Sequence, residues 1–144
     1  ALAPFDIQFC AQPLPAGNLD GLREIHERSP IPIMADEDVI GPEDVEPLAG
    51  CVSSVNCKLM KCGGISRALE IIRKAKDLGM EVMIGCMSET SVGITAGAHL
   101  TPLVDYADLD GNLLIDNDPY DGVTVIDGKL VLPDRPGLGV VPRS

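Results

Sequence analysis

The 144-residue chain carries a formal net charge of −11, and 45% of its residues are hydrophobic although it contains no tryptophan. This length suits a single domain, residues 1–144, with a mostly aliphatic core, and the negative charge argues against nucleic acid or an anionic membrane as a partner. No apolar run approaches the roughly 18 residues of a membrane span, and the first residues lack the basic start and apolar stretch of a signal peptide.

The hydrophobic pattern alternates between strand and helix periodicity along most of the chain. Strands are predicted at 5–10, 31–35, 53–60, 81–85 and 106–110. Helices are predicted at 19–27, at 41–50 (a brief one), at 66–78 and at 91–100. A hairpin is predicted at 123–131, turning at Asp127-Gly128, and the rest of the chain is expected to be a loop-rich tail.

The helix after the third strand has the clearest sequence signals. Ser66 is expected to cap its N-terminus and Gly79 its C-terminus. Its buried face should carry Leu69, Ile72, Ala75 and Leu78.

The five cysteines show no close C-x-x-C spacing. An odd number of widely spaced cysteines favours reduced thiols over a disulfide framework. We therefore expect a soluble, cytoplasmic protein.

Charged residues follow three of the apolar runs. Asp36-Glu37 follows the second predicted strand, Lys58 lies in the third, and Asp108 and Asp110 lie in the fifth. Parallel strands in barrel enzymes carry catalytic groups at their C-terminal ends, so this pattern favours a barrel over an open sheet. A closed (β/α)8 barrel needs eight strands and typically about 250 residues, so five strands predict part of one.

Each charged group taken singly has a simpler interpretation. Asp36-Glu37 could be an ordinary acidic loop, and Asp108 and Asp110 could form a turn before Gly111. Lys61, past the end of the third strand, would be a solvated or carbonyl-binding loop residue. Lys58 is harder to explain, because a lysine within an apolar strand is rarely buried without a partner.

The ordered set of motifs resembles the enolase superfamily, in its muconate-cycloisomerase-like branch. The motifs are Ala35-Asp36-Glu37, Asn56-Cys57-Lys58-Leu59-Met60-Lys61-Cys62-Gly63-Gly64, Gly85-Cys86-Met87-Ser88-Glu89-Thr90 and Asp108-Leu109-Asp110. Within that branch the chain is similar to the dipeptide epimerases that interconvert L-Ala-D-Glu and L-Ala-L-Glu. The resemblance implies an α/β fold: a partial (β/α)8 TIM barrel, about strands 4 to 8, with flanking helices and a C-terminal hairpin.

The resemblance also implies a chemistry. Removing a proton next to a carboxylate creates an enediolate, which a divalent metal such as Mg²⁺ stabilises while lysines exchange protons. By resemblance, Asp36 is a metal ligand, Lys58 is the acid/base lysine on one face of the substrate, and Glu37 orients that lysine.

The substrate-binding residues are likewise implied by the resemblance. Asp108 and Asp110 match the pair that binds the ammonium group of the dipeptide. The backbone of Met87 and Ser88 would line the substrate site.

The chain departs from the family pattern in several places. Ala11 stands where the family has a metal-binding glutamate before Gln12-Pro13. The Lys-x-Lys of the second barrel strand, the aspartate of the third and the N-terminal capping domain have no counterpart. One carboxylate makes a poor Mg²⁺ site, and one lysine serves one face only, so epimerisation by this chain alone is not expected.

Three hypotheses about function remain open. The chain could be an epimerase-like isomerase that works only when a second polypeptide completes the barrel, which the retained Asp36 and Lys58 favour. It could be a non-catalytic half-barrel with a vestigial site, which Ala11 favours because a complementing chain would not replace the missing glutamate. A cycloisomerase-like activity is the third, although such substrates lack an ammonium group for the Asp-x-Asp pair.

Self-association is expected on physical grounds. An open five-stranded parallel sheet has two edges with unpaired backbone groups, and its inner face, expected to be aliphatic, would be exposed without the missing strands. Pairing with an identical copy is the simplest remedy, so we predict a homodimer or a larger closed oligomer.

Overall fold

The computed structural model describes residues 3–143 of the chain. Strands are β1 (Cys10–Ala11), β2 (Ile33–Ala35), β3 (Ser54–Lys58), β4 (Glu81–Gly85), β5 (Tyr106–Ala107), β6 (Tyr120–Asp121), β7 (Thr124–Ile126), β8 (Lys129–Val131) and β9 (Val141–Pro142). Helices are α1 (Leu19–Arg28), α2 (Leu59–Cys62), α3 (Ile65–Asp77) and α4 (Ser91–Ala98). Short 3-10 helices cover Ala3–Phe5, Pro42–Asp44, Glu46–Leu48, Thr101–Leu103 and Gly111–Leu114.

The main sheet has the spatial order β1-β2-β3-β4-β5, and all four pairings are parallel. A doubly wound open sheet reverses its strand order at a switch point, whereas a barrel adds each strand beside the previous one. The uninterrupted order therefore identifies an arc of a (β/α)8 barrel, which confirms the predicted fold. The longest pairing joins β3 to β4, with five residue pairs from Ser54–Glu81 to Lys58–Gly85.

Alternate residues of the central strands face opposite sides of the sheet, as strand geometry requires. Val55, Cys57, Val82 and Ile84 belong to the buried core cluster, together with Leu22 of α1 and Ile71 and Ile72 of α3. The inner face of β3 and β4 instead carries Asn56, Lys58 and Met83, which line a cavity. The inner face that we expected to be aliphatic is therefore partly polar.

Helix α3 begins one residue before Ser66, with Gly64 as its N-cap, so the predicted serine cap is wrong. Gly64 adopts a φ of 115°, which favours glycine. Gly79 does end the helix, at a φ of 74°, just after the C-cap Leu78. Its N–H donates to the carbonyl of Lys76, and the N–H of Met80 donates to that of Ala75, which is the Schellman arrangement.

The buried face of α3 is also rotated from the predicted one. Ile72 and Ala75 are buried as expected, and Ala68 and Ile71 join them. Leu69 and Leu78 are exposed, at 42% and 43%.

The two edge strands are shorter than predicted. In place of a strand over 5–10, residues Ala3–Phe5 form a 3-10 helix, and Asp6 has a φ of 53° that breaks the extended run. In the edge strands β1 and β5, only Cys10–Ala11 and Tyr106–Ala107 pair with a neighbour. Each edge strand has a single neighbouring strand in the described part of the chain. Strand β3 likewise stops at Lys58, where α2 begins, and the brief helix predicted at 41–50 is two separate 3-10 turns.

The C-terminal hairpin is confirmed. Strands β7 and β8 pair antiparallel, and both turn residues, Asp127 and Gly128, adopt positive φ values of 49° and 73°. This is the pair of left-handed residues that a two-residue type I′ turn requires. The tail also contains a small ribbon, β6 with β9, that was not predicted. Within residues 3–143, no helix combines the length and the apolar character needed to cross a membrane.

Candidate functional site

A cavity of about 580 Å³ opens on the inner face of the sheet, near the C-terminal ends of its strands. Asp36 after β2, Asn56 and Lys58 on β3, and Asp108 after β5 all contribute to its wall. Residues that are far apart in the sequence meet here because parallel strands end at the same edge of a barrel. Two of the charged residues singled out in the sequence, Asp36 and Lys58, are in direct contact.

Asp36 is held by two lysines. Lys58 Nζ lies 2.8 Å from Asp36 Oδ2, and Lys61 Nζ lies 2.6 Å from Asp36 Oδ1. Lys61 Nζ also donates to the backbone carbonyl of Asp36 at 2.5 Å. The three side chains are only 12–15% exposed, so the prediction of a solvated Lys61 is wrong, while its carbonyl contact is confirmed.

Two amide side chains complete the surroundings of Asp36. Asn56 Nδ2 donates to Asp36 Oδ2 at 3.1 Å, and Gln12 Oε1 accepts from the backbone N–H of Asp36 at 2.8 Å. The other Asn56 atom, Oδ1, is buried and has no hydrogen-bond partner among the described residues. The Asn56 side chain therefore binds Asp36 through its Nδ2 atom, while its Oδ1 atom accepts no hydrogen bond from the described residues.

The electrostatic balance keeps Asp36 ionised. Burial by itself raises the pKa of Asp36, because a charged carboxylate loses solvation. Hydrogen bonds from Lys58 and Lys61, together with the charges of both ammonium groups, outweigh that effect and lower the pKa below its usual value. Both ion pairs are present at the same time, so the single carboxylate of Asp36 contacts two ammonium groups.

Asp108 and Asp110 follow β5 and are both exposed, with Leu109 buried between them. Strand β5 ends at Ala107, so the two carboxylates lie in the loop after it and not in the strand predicted over 106–110. Asp108 lines the cavity, whereas Asp110 lies beyond it as the N-cap of the turn Gly111–Leu114. The only partner recorded for the Asp110 carboxylate among residues 3–143 is Cys86 Sγ, at 3.8 Å.

Met87 and Ser88 follow β4 and are exposed. Neither residue is part of the cavity wall in the described portion of the chain. A close backbone approach ties this loop to the Asp110 loop, because a Cβ atom on Gly111 would lie 2.0 Å from the Met87 carbonyl oxygen. The predicted substrate-binding residues are therefore neighbours, although only Asp108 reaches the cavity.

Glu37 is exposed and lies beside a second cavity of about 460 Å³, which is also lined by Gln12 and Asp36. No hydrogen bond or ion pair joins Glu37 to Lys58 within residues 3–143. Its role in orienting that lysine stays a prediction.

The residues at this site do not fit a Mg²⁺ ion. Both oxygens of Asp36 already accept from protein donors, and Ala11, which lies beside Asp36 in both cavities, supplies no carboxylate. No group of three His, Cys, Asp or Glu side chains in the described residues could hold a metal ion. Mg²⁺ sites in proteins combine carboxylates with other anions, and one carboxylate already shared by two lysines is a poor start.

Sequence reasoning missed Asn56 as a site residue, and for Lys61 it predicted a carbonyl contact as one alternative but not the ion pair with Asp36. Asn56 precedes Lys58 by two, so strand periodicity alone would have put it on the same face. Lys61 gave a weaker signal, because its direction depends on the one-turn helix α2 rather than on the strand.

Comparison with known proteins agrees with this geometry. The "Enolase C-terminal domain-like" family model matches residues 1–144. The L-Ala-D/L-Glu epimerase of Bacteroides thetaiotaomicron is 48% identical over 130 residues, which are 90% of this chain and 34% of that protein.

Solved structures give the same result. The substrate-liganded L-Ala-D/L-Glu epimerase from Bacillus subtilis superposes with a TM-score of 0.91 at 35% identity, covering 97% of this chain and 41% of that one. The dipeptide epimerase from Methylococcus capsulatus, in complex with Mg and the dipeptide L-Arg-D-Lys, gives a TM-score of 0.91 at 38% identity, over 97% and 42% of the two chains. The chain thus spans well under half the length of the relatives it matches. On the family match and these relatives, the chain belongs to the enolase superfamily, and several of its structural neighbours are dipeptide epimerases.

Proposed function

We propose that this chain carries one half of a dipeptide-epimerase-type active site, in which Lys58 exchanges a proton at one face of the substrate. The observation that carries the proposal is the position of Lys58: its ammonium group lies in the cavity wall and contacts Asp36 at 2.8 Å. A proton-transferring group must reach its substrate, and Lys58 lines the cavity of about 580 Å³ on the inner face of the sheet.

The charge distribution of the cavity suits a dipeptide. Lysine and amide groups gather at the Asp36 end, where a substrate carboxylate would be attracted. At the other end Asp108 presents an exposed carboxylate, which suits an ammonium group. The relatives named above act on or bind dipeptides, which carry both groups.

We further propose that the chain alone does not complete an epimerisation. Epimerisation needs proton exchange on both faces of the carbon, and the described residues bring one lysine into the cavity wall. It also needs positive charge near the developing enediolate. Here that charge would come from Lys58 and Lys61, because the residues do not fit a metal ion.

Proton exchange in D₂O tests this function. The chain is incubated with L-Ala-D-Glu and with L-Ala-L-Glu, and NMR follows loss of the Glu α-proton and appearance of the other epimer. We expect slow deuterium incorporation into one epimer without inversion, and loss of that signal in Lys58→Ala. Lys74→Ala is the matched control, because Lys74 is a partly exposed lysine on α3, away from the cavity. Inversion by the unmodified chain, or equal exchange in both variants, would contradict the proposal.

A second candidate is a non-catalytic half-barrel that associates with itself. Ala11 at the family's glutamate position and the lysine-filled surroundings of Asp36 favour this candidate. The sides of β1 and β5 that pair with no strand within residues 3–143 would supply the contact surface, together with the exposed hairpin residues Val125 and Ile126. We expect a homodimer or larger closed oligomer by light scattering on a size-exclusion column. A stable, well-folded monomer at micromolar concentration would contradict self-association.

A further inference from the structure

We propose that Lys61 is a positioning residue that serves as a built-in counter-cation, locking Asp36 in place and keeping divalent metal ions out of the cavity. The inference concerns the ground-state structure of the site, so it holds or fails independently of proton exchange by Lys58.

Lys61 makes more contacts with Asp36 than Lys58 does. Its ammonium group binds two acceptors of the same residue, the backbone carbonyl and Oδ1, whereas Lys58 contacts Oδ2 alone. Two bonds from one donor to one residue fix both the backbone and the side-chain orientation of Asp36. Lys58, with its single contact, remains the group that a ligand in the cavity can recruit.

The direction of Lys61 is built into the local fold. Helix α2 is one turn long, directly after β3, and its residue Cys62 is buried. Gly63 then ends the turn with a φ of 89°. These constraints aim Lys61 back over the end of β2, where its side chain is 14% exposed.

The charges around Asp36 are the reason for metal exclusion. Lys61 donates to Oδ1, and Lys58 and Asn56 donate to Oδ2, so three of the about four acceptor sites of the carboxylate are used and an incoming cation finds one left. It must also approach two positive charges, while Ala11 offers no second carboxylate. Lys61 therefore supplies at Asp36 the positive charge that a metal ion would otherwise supply.

Metal binding to the folded chain tests the inference. Mn²⁺ is titrated into the unmodified chain, Lys61→Met, Lys61→Arg and Lys74→Met, with free Mn²⁺ measured by electron paramagnetic resonance. Lys74 is the matched control because it also binds a backbone carbonyl, that of Pro42, and a carboxylate, that of Glu46, away from the cavity. Both methionine variants change the net charge equally.

We expect Lys61→Met to bind Mn²⁺ about tenfold more tightly or better, because a unit positive charge within hydrogen-bonding distance is removed. Lys61→Arg and Lys74→Met should bind as weakly as the unmodified chain. The gain should vanish when Asp36→Asn is added to Lys61→Met. No gain in Lys61→Met, or an equal gain in Lys74→Met, would overturn the inference.

A measurement on the unmodified chain keeps the inference testable should Lys61→Met not fold. Reductive methylation with formaldehyde and borohydride, followed by peptide mass spectrometry, reports the accessibility of each lysine. We expect Lys61 to react much more slowly than the exposed Lys129 of the hairpin. Equal rates for the two lysines would show that Lys61 does not hold Asp36.

Discussion

The ring of Phe9, just before β1, packs edge-on against the ring of Tyr106 on β5, with centroids 5.2 Å apart and planes at 61°. These residues belong to opposite edges of the five-stranded sheet. The sheet is therefore curled enough for side chains from its two edges to meet, and both residues line the cavity. An aromatic contact thus spans the gap between the edges.

We predict that Phe9→Ala lowers the free energy of unfolding by about 1–2 kcal/mol, because the edge-to-face contact and part of the apolar burial are lost. Urea unfolding followed by circular dichroism measures the change. Phe5→Ala is the control, since Phe5 is the same residue type in the same segment and is 73% exposed. Equal effects of the two substitutions would mean that the aromatic pair contributes nothing to the fold.

A second prediction concerns Asp118, which is buried and accepts hydrogen bonds from the Ser91 N–H at 2.7 Å and the Ser91 hydroxyl at 2.6 Å. Burial by itself raises the pKa of Asp118. The hydrogen bonds from Ser91 and from the Tyr120 N–H lower it by more than burial raises it, so the pKa lies below its usual value. A pKa that is lower in the folded state adds stability above the unfolded pKa of about 3.9. That contribution disappears as the pH falls through the folded pKa.

Urea midpoints measured between pH 6 and pH 2.5 should therefore fall more steeply for the unmodified chain than for Asp118→Asn. At pH 6 the substitution should cost about 1–3 kcal/mol, because an amide places a donor where a carboxylate oxygen accepts. Asp116→Asn is the control at an exposed position two residues earlier, and it should change the stability at pH 6 by about 0.5 kcal/mol or less. A profile for Asp118→Asn as steep as the original would contradict the proposed linkage.

The third prediction concerns the close approach of Gly111 to Met87. A Cβ atom at position 111 would sit 2.0 Å from a backbone oxygen, and neither backbone can move without displacing its loop. Gly111→Ala should lower stability by about 1–3 kcal/mol, as overpacking does elsewhere. Gly41→Ala is the comparison, because the nearest atoms there are the movable side-chain ends of Arg67 and Glu43. Thermal unfolding measures the stability of both variants. A larger loss of stability in Gly41→Ala than in Gly111→Ala would refute this account.

Local sequence predicted much of the fold but failed where structure depends on distant partners. Strand β4 has the predicted bounds because all five of its residues pair with β3, while Met83 and Ile84 also pair with β5. The edge strands were predicted too long, because the number of bonded residues at an edge depends on one neighbour rather than on the strand's own pattern. The cap of α3 was misassigned because a serine was preferred to Gly64, whose positive φ carries no side-chain signal.

The same distinction holds at the candidate site. Lys58 and Asp36 were identified because charged residues in or after apolar strands attract attention in any sequence. Their contact with each other required the register of β2 and β3, which pairs Ala35 with Val55. The contact of Lys61 with Asp36 depends in addition on the turn formed by α2, so no periodicity in the sequence could predict it.

The sequential order of the sheet also has a consequence for how the chain folds. Each of the four pairings joins a strand to the next one along the chain, so every step closes a loop of modest length. Loop closure of this kind costs little entropy, so each strand can pair with the one before it in chain order. The contact between Phe9 and Tyr106 spans the whole arc and can form only after β5 is in place. We therefore expect that contact to form late, so that Phe9→Ala mainly accelerates unfolding and leaves the folding rate almost unchanged.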